Sequence, residues 1–204
     1  MNFKNVLILT QYYLPEKGAP QIRLSKMANV LTDNNINVSV LTGFPNYPEG
    51  ITKEGYKNKL SMKESIENIE INRVWLYPAS GKNKIKRLFN YLSFTFTATL
   101  KIFFLPKPDL IFVEGQPLTL AFPALIYKYL RGVPYIYNTP DLQVEYAKDD
   151  NWLPAFFPWV AARLEKFFMH QSLSVTTVTH AFVNYFSEKY DVSYKKISFL
   201  PNGA

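Results

Sequence analysis

A chain of 204 residues with 48% hydrophobic side chains has apolar material for one ordinary domain, or for one half of a larger two-domain enzyme. Cysteine is absent, which excludes disulfides, thiol nucleophiles and thiolate metal sites within the chain. The net charge of +7 asks for an anionic partner, whether nucleic acid, anionic lipid or a phosphorylated ligand.

The residues before the first apolar run are too few and too polar for a signal peptide, so a cytoplasmic location is the expectation. Val6-Leu7-Ile8-Leu9-Thr10 is continuously apolar and reads as a strand buried on both faces of a parallel sheet. Pro20 suits the first position of a helix, in which Leu24, Met27, Ala28 and Leu31 share one face before Asn34-Asn35 stops it. Residues 38–42 supply the next strand. This βαβ unit opens a doubly wound domain, whose ligands sit beyond the carboxyl ends of the strands. The loop at residues 11–19 lacks both the Gly-x-Gly-x-x-Gly fingerprint and a Gly-Lys-Ser/Thr phosphate loop. Its glycine, Gly18, stands at the helix start and either approaches a ligand or permits a positive φ angle.

Residues 43–50 form a turn-rich aromatic loop, exposed to a ligand or packed as a lid. Residues 59–64 and 70–77 read as strands joined by a turn near Glu67-Asn68. A long helix follows over residues 83–105, with two apolar stripes. Ile85, Leu88, Phe89, Leu92, Phe96, Leu100 and Phe103 make one, and Tyr91, Phe94, Ala98, Ile102 and Leu105 the other. Lys86, Asn90, Ser93, Thr97 and Lys101 form a polar seam, which argues against a transmembrane span. Between residues 82 and 107 lie Lys82, Lys84, Lys86, Arg87, Lys101 and Lys107, and no acidic residue. One stripe must face the sheet. The other lies either on an anionic membrane surface or under a neighbouring helix.

Residues 109–114 are another buried strand. A helix through Tyr129 follows, kinked at Pro123 and ending at Gly132. Residues 134–138 form a strand, and residues 152–159 lead into a helix in which Val160, Leu164, Phe167, Phe168 and Gln171 share a face. Residues 174–179 form a strand, residues 180–189 a short helix and residues 197–200 a last strand. The β-α alternation defines an α/β class: a Rossmann-like, doubly wound, mostly parallel sheet in a single domain over residues 1–204.

The candidate chemistry lies at strand ends. Asp141 and Glu145, at i and i+4, fall on one side if a helical turn forms there, and Glu114 ends the preceding strand beside Gln116. This cluster suits hydrogen bonds to sugar hydroxyls or a general base. Taken singly, Asp141 also suits capping of a helical turn and Glu145 a solvated position. His180 faces the same crevice, although capping of the next helix by Thr179 is a simpler use of that corner. His170 is read as structural. No spacing supports a metal site, and no Gly-x-Ser-x-Gly elbow accompanies a Ser-His-Asp order.

On these residues the chain resembles the N-terminal domain of a family-4 glycosyltransferase of the GT-B fold, in particular N-acetyl-fucosaminyl transferases of bacterial surface-polysaccharide synthesis. The likeness is carried by Tyr13-Leu14-Pro15-Glu16 with Gly18 and Arg23, by residues 41–48 (Leu-Thr-Gly-Phe-Pro-Asn-Tyr-Pro), by residues 87–94 and by Leu200-Pro201-Asn202-Gly203. Where that family shows paired glycines this chain has Gly18-Ala19, and where it shows Asp-Leu-Trp-Pro-Glu this chain has Asp141-Leu142-Gln143-Val144-Glu145.

The resemblance implies a retaining transfer from a nucleotide-sugar donor to a lipid-linked glycan or polysaccharide acceptor, with no metal or other cofactor. Asp141 and Glu145 would be catalytic, and Gly18, Arg23, Asn46, Tyr47, Gln116 and His180 would touch substrate. A C-terminal glycosyltransferase domain carrying Glu-x7-Glu, beyond residue 204, would bind most of the donor, so this chain alone would be inactive. The basic segment at residues 82–107 would seat the protein on the inner face of the cell membrane. The alternative is a non-catalytic membrane-docking subunit beside a separate catalytic domain. The missing glycine fingerprint disfavours a nicotinamide-dependent protein, and nucleic acid is not an expected partner.

Overall fold

The computed structural model describes residues 3–81, 83–142, 144–145 and 156–201. Lys82, Gln143, the segment at residues 146–155 and the final Asn202-Gly203-Ala204 lie outside that range, and with them part of the aromatic segment and of the terminal turn named above.

Eight strands form one sheet in the order β3-β4-β2-β1-β5-β6-β7-β8. They are β1 (Asn5–Leu9), β2 (Asn37–Gly43), β3 (Ser61–Ile66), β4 (Ile69–Val74), β5 (Leu110–Glu114), β6 (Tyr135–Asn138), β7 (Ser174–Thr177) and β8 (Ile197–Phe199). All neighbours pair in parallel except the edge strand β3, which runs antiparallel to β4 through a turn with Glu67 and Asn68 both at positive φ. The sheet is therefore the expected Rossmann-like one. Strand ends differ from the sequence reading by at most three residues.

Among the described residues five helices of more than two turns cover it: α1 (Ala19–Asp33), α2 (Lys84–Ile102), α3 (Ala121–Arg131), α4 (Phe156–Gln171) and α5 (His180–Tyr190). Alternation along β1 divides the core. Ile8 packs with Leu24 and Ala28 of α1 on one face, and Leu7 and Leu9 join Phe94, Ala98, Phe168 and Phe186 from the other helices on the opposite face. The chain order reverses between β1 and its neighbours β2 and β5, and a doubly wound sheet opens a crevice at such a point.

Two expectations need correction, and one open choice is settled. Pro123 does not kink its helix. It lies in the first turn of α3, where an amide hydrogen has no helical acceptor, and a 3-10 turn at Leu118–Leu120 precedes it. The inner face of α4 is Ala161, Glu165, Phe168 and Met169, while Val160 and Phe167 are exposed. A buried glutamate displaced the apolar pattern, because the Tyr190 hydroxyl donates to Glu165 at 2.8 Å. In α2 the stripe with Phe94, Ala98 and Ile102 faces the sheet, joined by Asn90 from the polar seam. The stripe with Phe89 and Phe96 faces outward. Among the described residues no helix is long and apolar enough to cross a membrane.

Candidate functional site

At the β1/β5 reversal a cavity of about 280 Å³ opens, lined by Thr10, Tyr12, Pro20, Gln21, Tyr91, Glu114, Gln116 and Pro117. Its walls are the exits of β1 and β5, the first turn of α1 and the N-terminal half of α2.

The loops around it are held by buried polar contacts. Glu16, fully buried, accepts hydrogen bonds from the backbone N–H groups of Asn46 at 2.8 Å and Tyr47 at 2.7 Å. Burial raises the Glu16 carboxyl's pKa, and those two N–H groups pull it back toward the charged form. The Tyr12 and Tyr47 rings meet at 5.7 Å. On the α2 side, the Gln11 amide nitrogen donates to Asn90 Oδ1, and Asn90 Nδ2 donates to the Tyr77 carbonyl at 2.7 Å.

The floor is a buried relay. Arg23 Nη2 donates to Glu114 Oε2 at 2.7 Å, with both side chains 4% exposed or less. Asn138 Nδ2 donates to the same carboxylate oxygen at 3.0 Å, and Asn138 Oδ1 accepts from the Thr176 hydroxyl at 2.8 Å. Burial pushes the Glu114 carboxyl upward, opposed by the Arg23 charge and by hydrogen bonds from Arg23 and Asn138. Glu114 Oε1 and Gln21 Oε1 are buried and meet no hydrogen-bond donor among the described residues.

The residues named from the sequence divide into two groups. Gln116 lines the cavity and its Nε2 donates to Asp141 Oδ2 at 2.6 Å, so this pair stands together. Gly18 is the N-cap of α1 with φ −172°, an extended conformation open to any residue, so the positive-φ reading fails. A Cβ at Gly18 would instead lie 2.6 Å from Gln21 Oε1. Arg23 forms the floor, Asn46 is buried beneath its loop, and Tyr47 is about half exposed beside Tyr12.

Glu145 and His180 stand apart from the cavity lining. Glu145 Oε1 accepts from the Tyr185 hydroxyl at 2.6 Å and pairs with Lys189, both on α5. Asp141, by contrast, accepts from Gln116, on the other side of the segment. Thr179 caps α5 by accepting from the Phe182 N–H at 3.1 Å, and the His180 ring stacks on Phe199 at 4.5 Å. His170 is structural, with Nε2 at 2.9 Å from the Tyr190 carbonyl oxygen.

Sequence reasoning missed Tyr12, Gln21 and Tyr91 as lining residues. The signal available for Gln21 was its position one turn into a helix that starts at the crevice.

The fold is a doubly wound α/β domain with a crevice at its strand-order reversal. Residues 18–203 match the glycosyl transferase 4-like domain, and the chain belongs to that family. No curated protein matches it in sequence. Among solved structures it is similar to Anabaena Alr3699/HepE in complex with UDP and glucose, at 16% identity and a TM-score of 0.54 over 100% of this chain and 45% of that one. Arabidopsis thaliana UGT89C1 complexed with UDP-L-rhamnose gives 12% identity and a TM-score of 0.61 over 100% of this chain and 50% of that one. Sucrose-phosphate synthase from Thermosynechococcus elongatus gives 9% identity and 0.61, covering 98% of this chain and 90% of that one. At these identities the likeness is one of fold. This chain spans about half the length of the first two relatives.

Proposed function

We propose that this domain is the acceptor-side half of a retaining, metal-independent glycosyltransferase of bacterial surface-glycan synthesis. It would use a nucleotide-sugar donor and a lipid-linked glycan or polysaccharide acceptor. The N-acetyl-fucosaminyl branch is the reading closest to its motifs. The supporting observation is a pair of buried oxygens at the cavity: Gln21 Oε1 and Glu114 Oε1 meet no hydrogen-bond donor among the described residues. A phosphate offers only acceptors. A sugar brings several hydroxyl donors, so the cavity suits the hydroxyl-bearing acceptor better than the donor's diphosphate.

In the transfer, the donor's anomeric carbon–oxygen bond to the diphosphate breaks and a bond to an acceptor hydroxyl oxygen forms on the same face. The hydroxyl proton must leave. Asp141, held by Gln116 of the cavity wall, would be the carboxylate that receives it. Glu114 would accept a hydrogen bond from a second hydroxyl and fix the sugar's orientation. A second, C-terminal domain would bind the nucleotide and close the crevice, in keeping with the 45% and 50% of the longer relatives that this chain spans. The acceptor would bring the enzyme to the inner face of the cell membrane.

The test is amide chemical-shift mapping of the labelled chain with N-acetylated monosaccharides and, separately, with UDP. Saturable shifts at Gln21, Gln116 and Asp141 with sugar but not with UDP are expected. Shifts there with UDP alone would make this the nucleotide side and overturn the assignment. In an enzyme completed by its second domain, Asp141→Asn should lower turnover about 10²-fold or more. Glu145→Gln should change it little, since Glu145 pairs with Lys189 and Tyr185.

A further inference from the structure

Asp141 sits on a short segment whose ends are tied to different parts of the fold. At the β6 end, the Thr139 N–H donates to the Thr176 carbonyl at 2.9 Å, and the Thr139 hydroxyl donates to the Asp141 carbonyl at 3.3 Å. Beyond Asp141, the Glu145 N–H donates to the Leu142 carbonyl at 3.0 Å and closes a turn. Asp141 itself is exposed, so burial does not fix it.

Helix α5 holds the far end of this segment. The Tyr185 hydroxyl donates to Glu145 Oε1 at 2.6 Å. Lys189, one turn further along α5, pairs with Glu145 and donates to the Tyr185 oxygen. The Lys189 and Glu145 side chains are 28% and 29% exposed, so water screens them less than an open surface pair. Leu142 packs against the same core cluster as Phe182, Val183 and Tyr185. The helix is in turn fixed to α4 at Tyr190, whose hydroxyl donates to Glu165 at 2.8 Å and whose carbonyl oxygen lies 2.9 Å from His170 Nε2. Rings stack along it, Tyr190 meeting Phe186 at 5.9 Å. A support anchored at this many points can set the place of a side chain that it touches only indirectly.

We infer that Tyr185 and Lys189 are positioning residues for Asp141: by clamping Glu145 to α5 they hold the segment that presents Asp141 Oδ2 to Gln116. That role rests on Asp141 being the proton acceptor of the proposed transfer. It gives a use to a polar trio that lies outside the cavity lining. The contact at stake is the Gln116–Asp141 hydrogen bond at 2.6 Å, since a released segment lets the carboxylate drift from it. Displacing a reacting group by about 1 Å can cost on the order of 10²-fold in rate.

The first measurement uses the labelled 204-residue chain without sugar or nucleotide, so it does not depend on the transferase reading. Tyr185→Phe/Lys189→Met removes the hydroxyl and the ammonium and keeps the ring and the aliphatic stem. The Glu145 amide should then exchange its hydrogen at least about tenfold faster, and the Gln116 side-chain amide signals should move toward those of a free glutamine. Tyr185→Phe alone keeps the packing whole and should move the same signals in the same direction. Exchange and shifts equal to wild type in both variants would overturn the inference. In the enzyme completed by its second domain, the double variant should lower kcat about tenfold at unchanged KM for the nucleotide-sugar. Glu145→Gln keeps an oxygen for the Tyr185 hydroxyl and so spares turnover. Added to Asp141→Asn, the double variant should cost nothing further, because the clamp acts through Asp141. Losses that multiply would make Tyr185 and Lys189 merely structural and overturn the inference. If Asp141→Asn leaves turnover intact, the proton-acceptor reading fails, and the amide measurements still decide the clamp.

Discussion

Arg23 and Glu114 form an ion pair at 2.7 Å that lies almost wholly out of water and ties the first helix to the carboxyl end of β5. The pair sits under the cavity, so its charge balance sets how that floor presents Glu114 Oε1 to a ligand. Removing one member of a buried pair leaves the other charged and unmatched, at a cost of about 3–5 kcal/mol. Arg23→Met and Glu114→Leu should each lower stability by about that amount in urea titration, and the double variant by less than their sum. Strict additivity would mean that the two groups are not coupled.

Glu165 gives a second, pH-dependent expectation. Burial pushes its carboxyl from an ordinary value of 4.5 up to about 7, although the Tyr190 hydroxyl bond favours the charged form. The folded state thus binds this proton more tightly than the unfolded state. The sign follows: the stabilisation is fully present below about pH 4.5 and is lost as pH rises through about 7. The amount is about 3 kcal/mol. Glu165→Gln should flatten stability over that window, measured by chemical denaturation at successive pH values. An unchanged slope would place the titration elsewhere.

The β1 and β5 strands were legible in the sequence because strands buried on both faces are continuous apolar runs, and their exits line the crevice. The two stripes of α2 were legible as well, but periodicity alone leaves their orientation open. Orientation is decided by Asn90, which binds Gln11 and the Tyr77 carbonyl across 79 and 13 residues. The inner face of α4 was misread for a related reason, since Glu165 is admitted to the core by a tyrosine 25 residues away. At the candidate site, Gln116 and Asp141 were named from the sequence because both follow strand ends, and the fold joins them by a hydrogen bond. Gln21 was not, because a glutamine inside a helix looks like solvent-facing surface until the fold brings Gly18 against it.

The two crevice glycines should respond differently to alanine. At Gly18 the new Cβ would meet only the far end of the Gln21 side chain, which can turn away. Gly18→Ala should therefore cost less than about 1 kcal/mol while moving Gln21 out of the cavity wall. At Gly115 a Cβ would lie 2.7 Å from the Asn138 carbonyl oxygen and 2.7 Å from the Tyr137 ring, neither of which can yield without shifting β6. Gly115→Ala should cost about 1–3 kcal/mol, as overpacked cores do. Equal thermal stabilities for the two variants would contradict this assignment of roles.

Arg73 is the largest fully buried side chain among the described residues, and its guanidinium joins three separate pieces of backbone and side chain. Nη2 donates to the Leu14 carbonyl, Nη1 to the Gly43 carbonyl at 3.1 Å, and Nε to Glu64, while the plane lies 5.2 Å from the Tyr56 ring centre. Leu14 belongs to the loop leaving β1, and Gly43 ends β2, so one residue on β4 fixes the spacing of two loops at the crevice. A lysine keeps the charge but presents one compact ammonium, which cannot reach all three acceptors in the plane the guanidinium uses. Arg73→Lys should therefore cost about 2–3 kcal/mol despite charge conservation. Arg73→Met should cost about 3–5 kcal/mol, toward the lower end because Glu64 is 21% exposed and can regain water. Beyond global stability, both variants should speed amide hydrogen exchange at Asn46 and Tyr47, whose N–H groups rest on Glu16 in the loop that Arg73 anchors. If Arg73→Lys matched the wild type in both measurements, the planar fork would be irrelevant, and Arg73 would count only as a charge facing Glu64.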